Sequence, residues 1–147
     1  MKKLAIIGAS YLQEPIVKKA KQMGIYTICF AWADGATCAE ICDKFYDISI
    51  IEKEQILEIC KKEQIDGITT IASDTATLTV NYVASRMGLI SNPDEYSEIC
   101  TNKFKMRQCF MDADVPSPKF TLVGDEGKYS IKGFRFPLIV KPTHRSG

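Results

Sequence analysis

The stretch KLAIIGASYLQEPIVKKAKQMGIYTICF, residues 3–30, decides the fold of this chain. It begins with a short apolar run from Lys3 to Gly8, which is typical of a buried strand in a parallel sheet. The apolar residues that follow recur at helical spacing. Four of them are predicted to share the buried face of one helix: Leu12, Ile16, Ala20 and Met23. A second run, Ile25 to Phe30, is rich in β-branched and aromatic residues, so the stretch predicts strand, helix and strand.

The same alternation continues beyond residue 30. Phe45 to Ile48 and Ile68 to Ala72 are predicted strands. Ser49 and Glu52 have the spacing of a capping box, which predicts a helix to about Glu63. Another helix is predicted over about Thr75 to Met87. Residues 1–91 therefore indicate an α/β domain, a Rossmann-like parallel sheet with helices on both faces.

The pattern changes near Asn92, where we place a domain boundary. Residues 92–147 predict a helix start at Asn92, a helix over about Asn102 to Asp112, and two strands, Lys119 to Val123 and Phe136 to Lys141. A polar turn containing Gly124, Asp125, Glu126 and Gly127 separates the strands. This second part has an antiparallel, α+β character that differs from the first.

Composition excludes several classes of function. The chain has 147 residues, of which 46% are hydrophobic, and 19 basic and 18 acidic residues give a formal net charge of +1. A near-neutral chain lacks the positive patch of a nucleic-acid binder. The apolar run Leu4 to Ile7 is too short for a signal peptide, and no stretch approaches the roughly 20 apolar residues of a membrane helix. We therefore expect a cytoplasmic protein that binds neither nucleic acid nor membrane.

The cysteines and the single histidine indicate no metal or nucleophile site. The six cysteines form no CxxC pair, and the sole histidine, His144, lies far from most of them in sequence. We expect the cysteines to be small packing residues, since the cytosol keeps thiols reduced. His144 is expected to be a loop residue, because no serine or cysteine partner for it can be identified.

Ligands of open α/β sheets bind beyond the carboxyl ends of the strands, and two such ends carry polar residues. Ser10 and Tyr11 follow the first predicted strand, and Ser73 and Asp74 follow the fourth. The alternative for Ser10 and Tyr11 is a plain strand-to-helix turn, and for Ser73 and Asp74 simple helix capping. The segment after the first strand holds one glycine and does not match GxGxxG, which argues against a dinucleotide site.

Two lysines stand out in the second part. Lys103 and Arg107 are four residues apart on one predicted helix face, a spacing that a solvated basic face also explains. Lys141 ends an apolar strand and precedes a polar loop, a combination that suits phosphate binding.

Three segments in this order resemble the ATP-grasp superfamily. TNKFKMR (101–107) is similar to the family's NK..MR helix. VPSP (115–118) is similar to its G(V/I)P.P segment, with Asp114 where glycine is common. FPLIVKP (136–142) is similar to (F/Y)P.(I/V)(V/L)KP. By this resemblance, residues 1–91 form the pre-ATP-grasp domain and residues 92–147 begin the ATP-grasp small subdomain, closest in style to carbamoyl-phosphate-synthase large-subunit-like ligases.

The resemblance implies an ATP-dependent ligase that joins a carboxylate to an amine or ammonia through an acyl phosphate. Lys103 would contact the nucleotide, Lys141 would bind the α- and β-phosphates, and Ser146 and Gly147 would belong to the lid over the phosphates. Ser10, Tyr11, Ser73 and Asp74 would face the substrate. No catalytic residue or metal ligand is assigned within the chain, and the residues that hold Mg²⁺ are expected outside it.

We therefore expect the N-terminal part of a longer ligase, inactive alone, or one half of an enzyme that a homodimer or a further chain completes. A stand-alone Rossmann-like module that binds a small ligand is the alternative. A nicotinamide-dependent oxidoreductase is disfavoured, because Phe30-Ala31-Trp32 stands where an acidic residue would follow the second strand.

Overall fold

The computed structural model of the chain describes residues 1–124 and 131–144. It contains two compact units, Met1–Ser97 and a second that begins at Glu98. The division into domains after residue 91 stays a prediction. The predicted turn residues Asp125, Glu126 and Gly127 and the predicted lid residues Ser146 and Gly147 lie outside the described residues.

The first unit is built on a four-stranded sheet. Its strands are β1 (Lys3–Ile7), β2 (Tyr26–Ala31), β3 (Lys44–Asp47) and β4 (Gly67–Thr69). All neighbouring strands are parallel, and their lateral order is β3-β2-β1-β4. The prediction of a parallel α/β sheet is confirmed.

Two helices lie between these strands in the chain, and a third follows β4. They are α1 (Glu14–Gln22), α2 (Lys53–Glu63) and α3 (Asp74–Met87). Short 3₁₀ turns occupy Tyr11–Gln13, Thr37–Glu40 and Asp94–Tyr96. Pro15 lies in the first turn of α1, where no intrahelical N–H is needed.

Both faces of the sheet are covered, as predicted. On one face, buried side chains such as Ile7, Ile28 and Phe30 pack against residues of α2 and α3, among them Ile56 and Val83. On the other face, a second cluster joins the sheet to α1 and to the 3₁₀ turn Thr37–Glu40. Its buried members are Ile6, Ala9, Val17, Cys29 and Cys38. Alternation along β1 and β2 sends successive side chains into the two clusters.

The predicted buried face of α1 is wrong in part. Leu12 and Met23 are exposed, whereas Val17 and Ala20 are buried. Gln13 is also buried, so the buried face begins one residue later than the apolar pattern predicts. Both polar atoms of its amide form hydrogen bonds, so a polar side chain occupies the position that the apolar pattern assigns to Leu12.

The predicted capping box at the start of α2 is also wrong. The helix begins at Lys53, and Glu52 precedes it without a side-chain cap. Ser49 takes part through its backbone instead, because its carbonyl accepts a hydrogen bond from the amide of Glu52 at 3.0 Å. The segment Ser49–Glu52 is therefore a turn that precedes the helix.

The second unit contains helix α5 (Lys103–Asp112), preceded by the short helix α4 (Ser97–Thr101). Asn102 caps α5, since its side chain accepts from the amides of Phe104 and Lys105, each at 3.0 Å. The strands predicted over Lys119–Val123 and Phe136–Lys141 are not formed. A two-stranded pair alone is marginal in water, and neither segment has a strand partner among the described residues.

Candidate functional site

The topology of the first unit defines one edge for ligands. The chain passes from β1 to β2 and β3 on one side, and β4 lies on the other side of β1. The order of the strands therefore reverses between β1 and β4, which is where open α/β sheets bind ligands. The segments that follow these two strands contain the four predicted substrate-side residues.

Gln13 joins these two segments. Its side chain is buried, and its Nε2 donates to the carbonyl of Ile71 at 2.6 Å. Its Oε1 accepts from the amide of Ser10 at 3.0 Å and from the Ser10 hydroxyl at 2.8 Å. The amide group of Gln13 therefore fixes the turn after β1 against the turn after β4. Sequence reasoning missed this residue, and the capping-box spacing of Ser10 and Gln13 could have indicated it.

Two backbone positions at this edge have positive φ. Gly8 has φ +103°, and a Cβ there would lie 3.0–3.3 Å from three atoms of the Gln13 side chain. Ala72, after β4, has φ +57° although it is not glycine. Such conformations persist where surrounding contacts fix them, and they concentrate at ligand sites.

The four predicted residues have different surroundings. Ser10 and Ser73 both cap helical turns: Ser10 Oγ accepts from the amide of Leu12, and Ser73 Oγ accepts from that of Ala76, each at 3.3 Å. The capping interpretation is thus correct for Ser73, and Ser10 forms the strand-to-helix turn that was its alternative. Tyr11 is 69% exposed and Asp74 is exposed, so these two side chains are accessible to a ligand. Their role in binding stays a prediction.

The thiols of the first unit are packing groups. Cys29, Cys38 and Cys60 are buried, and desolvation raises the pKa of all three thiols, that of Cys60 to about 12. Cys38 Sγ donates to the carbonyl of Ser10 at 3.2 Å, so it also supports the turn after β1. Thiols of raised pKa are poor nucleophiles.

In the second unit, the start of α5 lies against residues 143 and 144. The amide of Lys103 donates to the carbonyl of Thr143 at 2.8 Å. Asn102 Nδ2 lies 3.0 Å from His144 Nε2, and Thr143 Oγ1 lies 3.0 Å from His144 Nδ1. His144 is thus an exposed residue whose ring contacts two polar neighbours. The structure therefore brings the Lys103 region and the segment that follows Lys141 together.

The other basic residues of this region differ in exposure. Lys141 is exposed and Lys103 is half-buried. Arg107 is half-buried, and its guanidinium donates to Ser117 Oγ at 2.8 Å. Since both Lys103 and Arg107 are half-buried, a solvated basic face does not explain their spacing.

The described part of the chain contains neither a metal-binding cluster nor a helix that could span a membrane. Within residues 1–124 and 131–144, no group of three or more His, Cys, Asp or Glu side chains is placed to hold a metal ion. Over the same ranges, none of the helices combines the length and apolar character that crossing a bilayer demands.

An open parallel sheet with helices on both faces places the first unit in the doubly wound α/β class. No family model matches the chain. Known proteins do: the formate-dependent phosphoribosylglycinamide formyltransferase of Sulfurisphaera tokodaii is 26% identical over 99% of this chain and 37% of its own length. The chain therefore spans well under half of this curated relative.

Solved structures agree in fold. Phosphoribosylglycinamide synthetase from Anaerococcus prevotii has a TM-score of 0.73 at 24% identity, over 85% of this chain and 32% of its own. N5-carboxyaminoimidazole ribonucleotide synthetase from Thermotoga maritima has a TM-score of 0.71 at 25% identity, over 85% and 34%. A further synthetase of the latter kind, solved as an ADP complex, has a TM-score of 0.71 at 18% identity, over 85% and 32%. The resemblance to the N-terminal part of ATP-grasp ligases is confirmed.

Proposed function

We propose that this chain is the N-terminal part of an ATP-dependent ligase that joins a carboxylate to an amine or ammonia through an acyl phosphate. The observation that carries the proposal is the similarity of 99% of the chain to a formate-dependent phosphoribosylglycinamide formyltransferase. That this ligase is most similar to carbamoyl-phosphate-synthase large-subunit-like enzymes stays a prediction.

The second unit supplies the nucleotide side of this proposal. The hydrogen bond between Lys103 and Thr143 holds the start of α5 beside the segment that begins with Lys141. Two lysines from separate segments there would bind ATP phosphates as point charges. ATP supplies the phosphoryl group that activates the carboxylate, and positive charge stabilises that transfer mainly by position and electrostatics. Ser146 and Gly147 are proposed to cover the phosphates.

The first unit supplies the substrate side. Tyr11 and Asp74 are accessible, while Ser10 and Ser73 hold the turns that carry them. We assign no catalytic residue to the chain. We place the Mg²⁺ ligands outside it, so the chain alone is expected to be inactive until a homodimer partner, a further chain or a longer polypeptide completes the site.

Calorimetric titration of the chain with ATP tests the nucleotide side. Lys141→Ala and Lys103→Ala should each raise the Kd for ATP by about tenfold or more, because a charged hydrogen bond to phosphate is lost. Lys62→Ala, an exposed lysine of α2, is the matched control and should leave the Kd unchanged. Equal ATP affinity in the parent and both variants would contradict the assignment.

A stand-alone small-ligand module is the second candidate, and the closed core of the first unit favours it. The same variants separate the two functions. Micromolar binding of one small ligand, unaffected by Lys103→Ala and Lys141→Ala and accompanied by no ATP binding, would support the module.

A further inference from the structure

Two exposed aromatic side chains lie at the ligand edge of the first unit. Trp32 is 70% exposed and Tyr11 is 69% exposed, and they are the most exposed aromatic residues of that unit. They follow β2 and β1, which pair directly, with Ile7 opposite Phe30. Single exposed aromatic residues are ordinary, but two in the segments that follow adjacent strands form a local surface at this edge.

The backbone holds these two residues at neighbouring positions. The amide of Gly8 donates to the carbonyl of Phe30 at 2.8 Å, and that of Cys38 donates to the carbonyl of Ala9 at 2.8 Å. The turn after β1 is therefore bonded both to the end of β2 and to the loop that follows Trp32. Gln13 fixes the other side of the same turn to the segment after β4.

The charge of this edge has one sign. The segments that follow the four strands, residues 8–14, 31–40, 47–52 and 70–75, contain no Lys or Arg. They contain six acidic residues: Glu14, Asp34, Glu40, Asp47, Glu52 and Asp74. Glu14, Glu52 and Asp74 lie at the positive ends of helices, which stabilise their charges without neutralising them. Asp34 and Asp47 lie beside Trp32.

Asp47 is placed directly at the aromatic surface. Its Oδ1 accepts from the amide of Ala33, the residue after Trp32, at 2.8 Å. Asp34, Asp47 and Asp74 are exposed, and none of the three forms an ion pair with another described residue. Aromatic faces combined with carboxylates are the chemistry that recognises an organic ammonium group.

From this placement we propose that the edge carrying Tyr11, Trp32 and Asp74 binds the amine substrate as an organic cation with a planar or unsaturated group, and that it rejects phosphate-bearing substrates. This inference rests on the proposed ligase and names the class of its amine. It separates this chain from the relatives whose names contain a phosphoribosyl compound. A phosphate there would face carboxylates without a lysine or arginine from these segments.

Trp32 provides a direct measurement, because it is the only tryptophan of the chain. Its emission is to be followed while the full chain is titrated with 2-phenylethylamine, 2-cyclohexylethylamine, phenylacetate and ribose 5-phosphate. We expect 2-phenylethylamine to bind about tenfold more tightly than phenylacetate or ribose 5-phosphate, and about threefold more tightly than the saturated amine.

Variants assign the contacts. Asp74→Asn and Tyr11→Leu should each weaken 2-phenylethylamine binding by about three- to tenfold, whereas Glu58→Gln, an exposed acid within α2, should not change it. Unchanged far-UV circular dichroism verifies that the variants fold. Ribose 5-phosphate binding as tightly as the amine, no response of Trp32 to any probe, or equal binding by Asp74→Asn and the parent would each overturn the proposal.

The outcomes remain separable from those of the proposed function. Amine binding together with an ATP affinity that Lys103→Ala and Lys141→Ala leave unchanged would retain this inference and overturn the proposed nucleotide side of the ligase. ATP binding that depends on Lys141, together with tight binding of ribose 5-phosphate, would retain the ligase and overturn this inference.

Discussion

The two units differ in how they bury apolar side chains. In the first, 18 apolar residues are buried, and all but Ala20 belong to clusters on the two faces of the sheet. In the second, no described residue is fully buried, and Phe136, Ile139 and Val140 are 78%, 82% and 85% exposed. Local sequence favours strands in both units, but only the first supplies partners for them. The comparison shows that strand propensity forms a sheet only where further strands and helices cover it.

The largest expected effect is on the free energy of unfolding, when one aromatic ring is removed from either unit in separate variants. Phe30 is fully buried and stacks on Tyr46 at a centroid distance of 5.2 Å, so Phe30→Ala should lower the free energy of unfolding by about 3–5 kcal/mol. Phe104 is half-buried and meets Phe120 edge-on at 5.6 Å, so Phe104→Ala should cost about 1–2 kcal/mol. Urea unfolding followed by circular dichroism measures both, and equal losses would remove the distinction between the units.

The second effect concerns a carboxylate that stabilises the first unit. Glu63 accepts from Lys44 Nζ at 2.5 Å and from the Tyr46 hydroxyl at 2.6 Å. These contacts, Lys44 foremost, lower the pKa of Glu63 to about 2, from an ordinary value of 4.5. Because the folded pKa lies below the unfolded one, the stabilisation is complete above pH 4.5 and disappears as the pH falls toward 2.

Glu63→Gln should therefore cost about 1–2 kcal/mol at pH 7, and the difference from the parent should shrink between pH 4.5 and 2. Urea unfolding at pH 7, 4 and 2.5 measures this change. Glu58→Gln is the control, since Glu58 is exposed and pairs only with Lys61 among the described residues. A cost for Glu63→Gln that does not vary with pH would contradict the assigned pKa.

Sequence patterns predicted the order of strands and helices in the first unit, because short β-branched runs alternate there with amphipathic helices. They did not give the lateral order β3-β2-β1-β4, which depends on crossovers that leave no local pattern. They also assigned Leu12 to the core, although Gln13 lies there, because apolar periodicity does not register a polar group whose hydrogen bonds are satisfied inside.

The candidate site was predicted less completely than the fold. Ser10, Tyr11, Ser73 and Asp74 follow from the rule that ligands bind beyond strand ends, and the structure brings their two segments together through Gln13. For Trp32, sequence reasoning established only that no acidic residue stands at the end of the second strand. Its exposure beside Tyr11 depends on the direct pairing of β1 and β2, which becomes visible only once the sheet is built.

The smallest expected effect tests whether the first unit is self-sufficient. A chain ending at Ser97 keeps every member of both clusters, since the last of them is Leu89. Its Tm should therefore lie within about 4 °C of the first transition of the full chain, which corresponds to less than about 1 kcal/mol for a unit of this size. Differential scanning calorimetry of the two chains measures the difference. A much lower Tm for the shorter chain would mean that residues beyond Ser97 stabilise the first unit. The first unit would then not be self-sufficient, and the contrast in burial between the two units would no longer explain their stability.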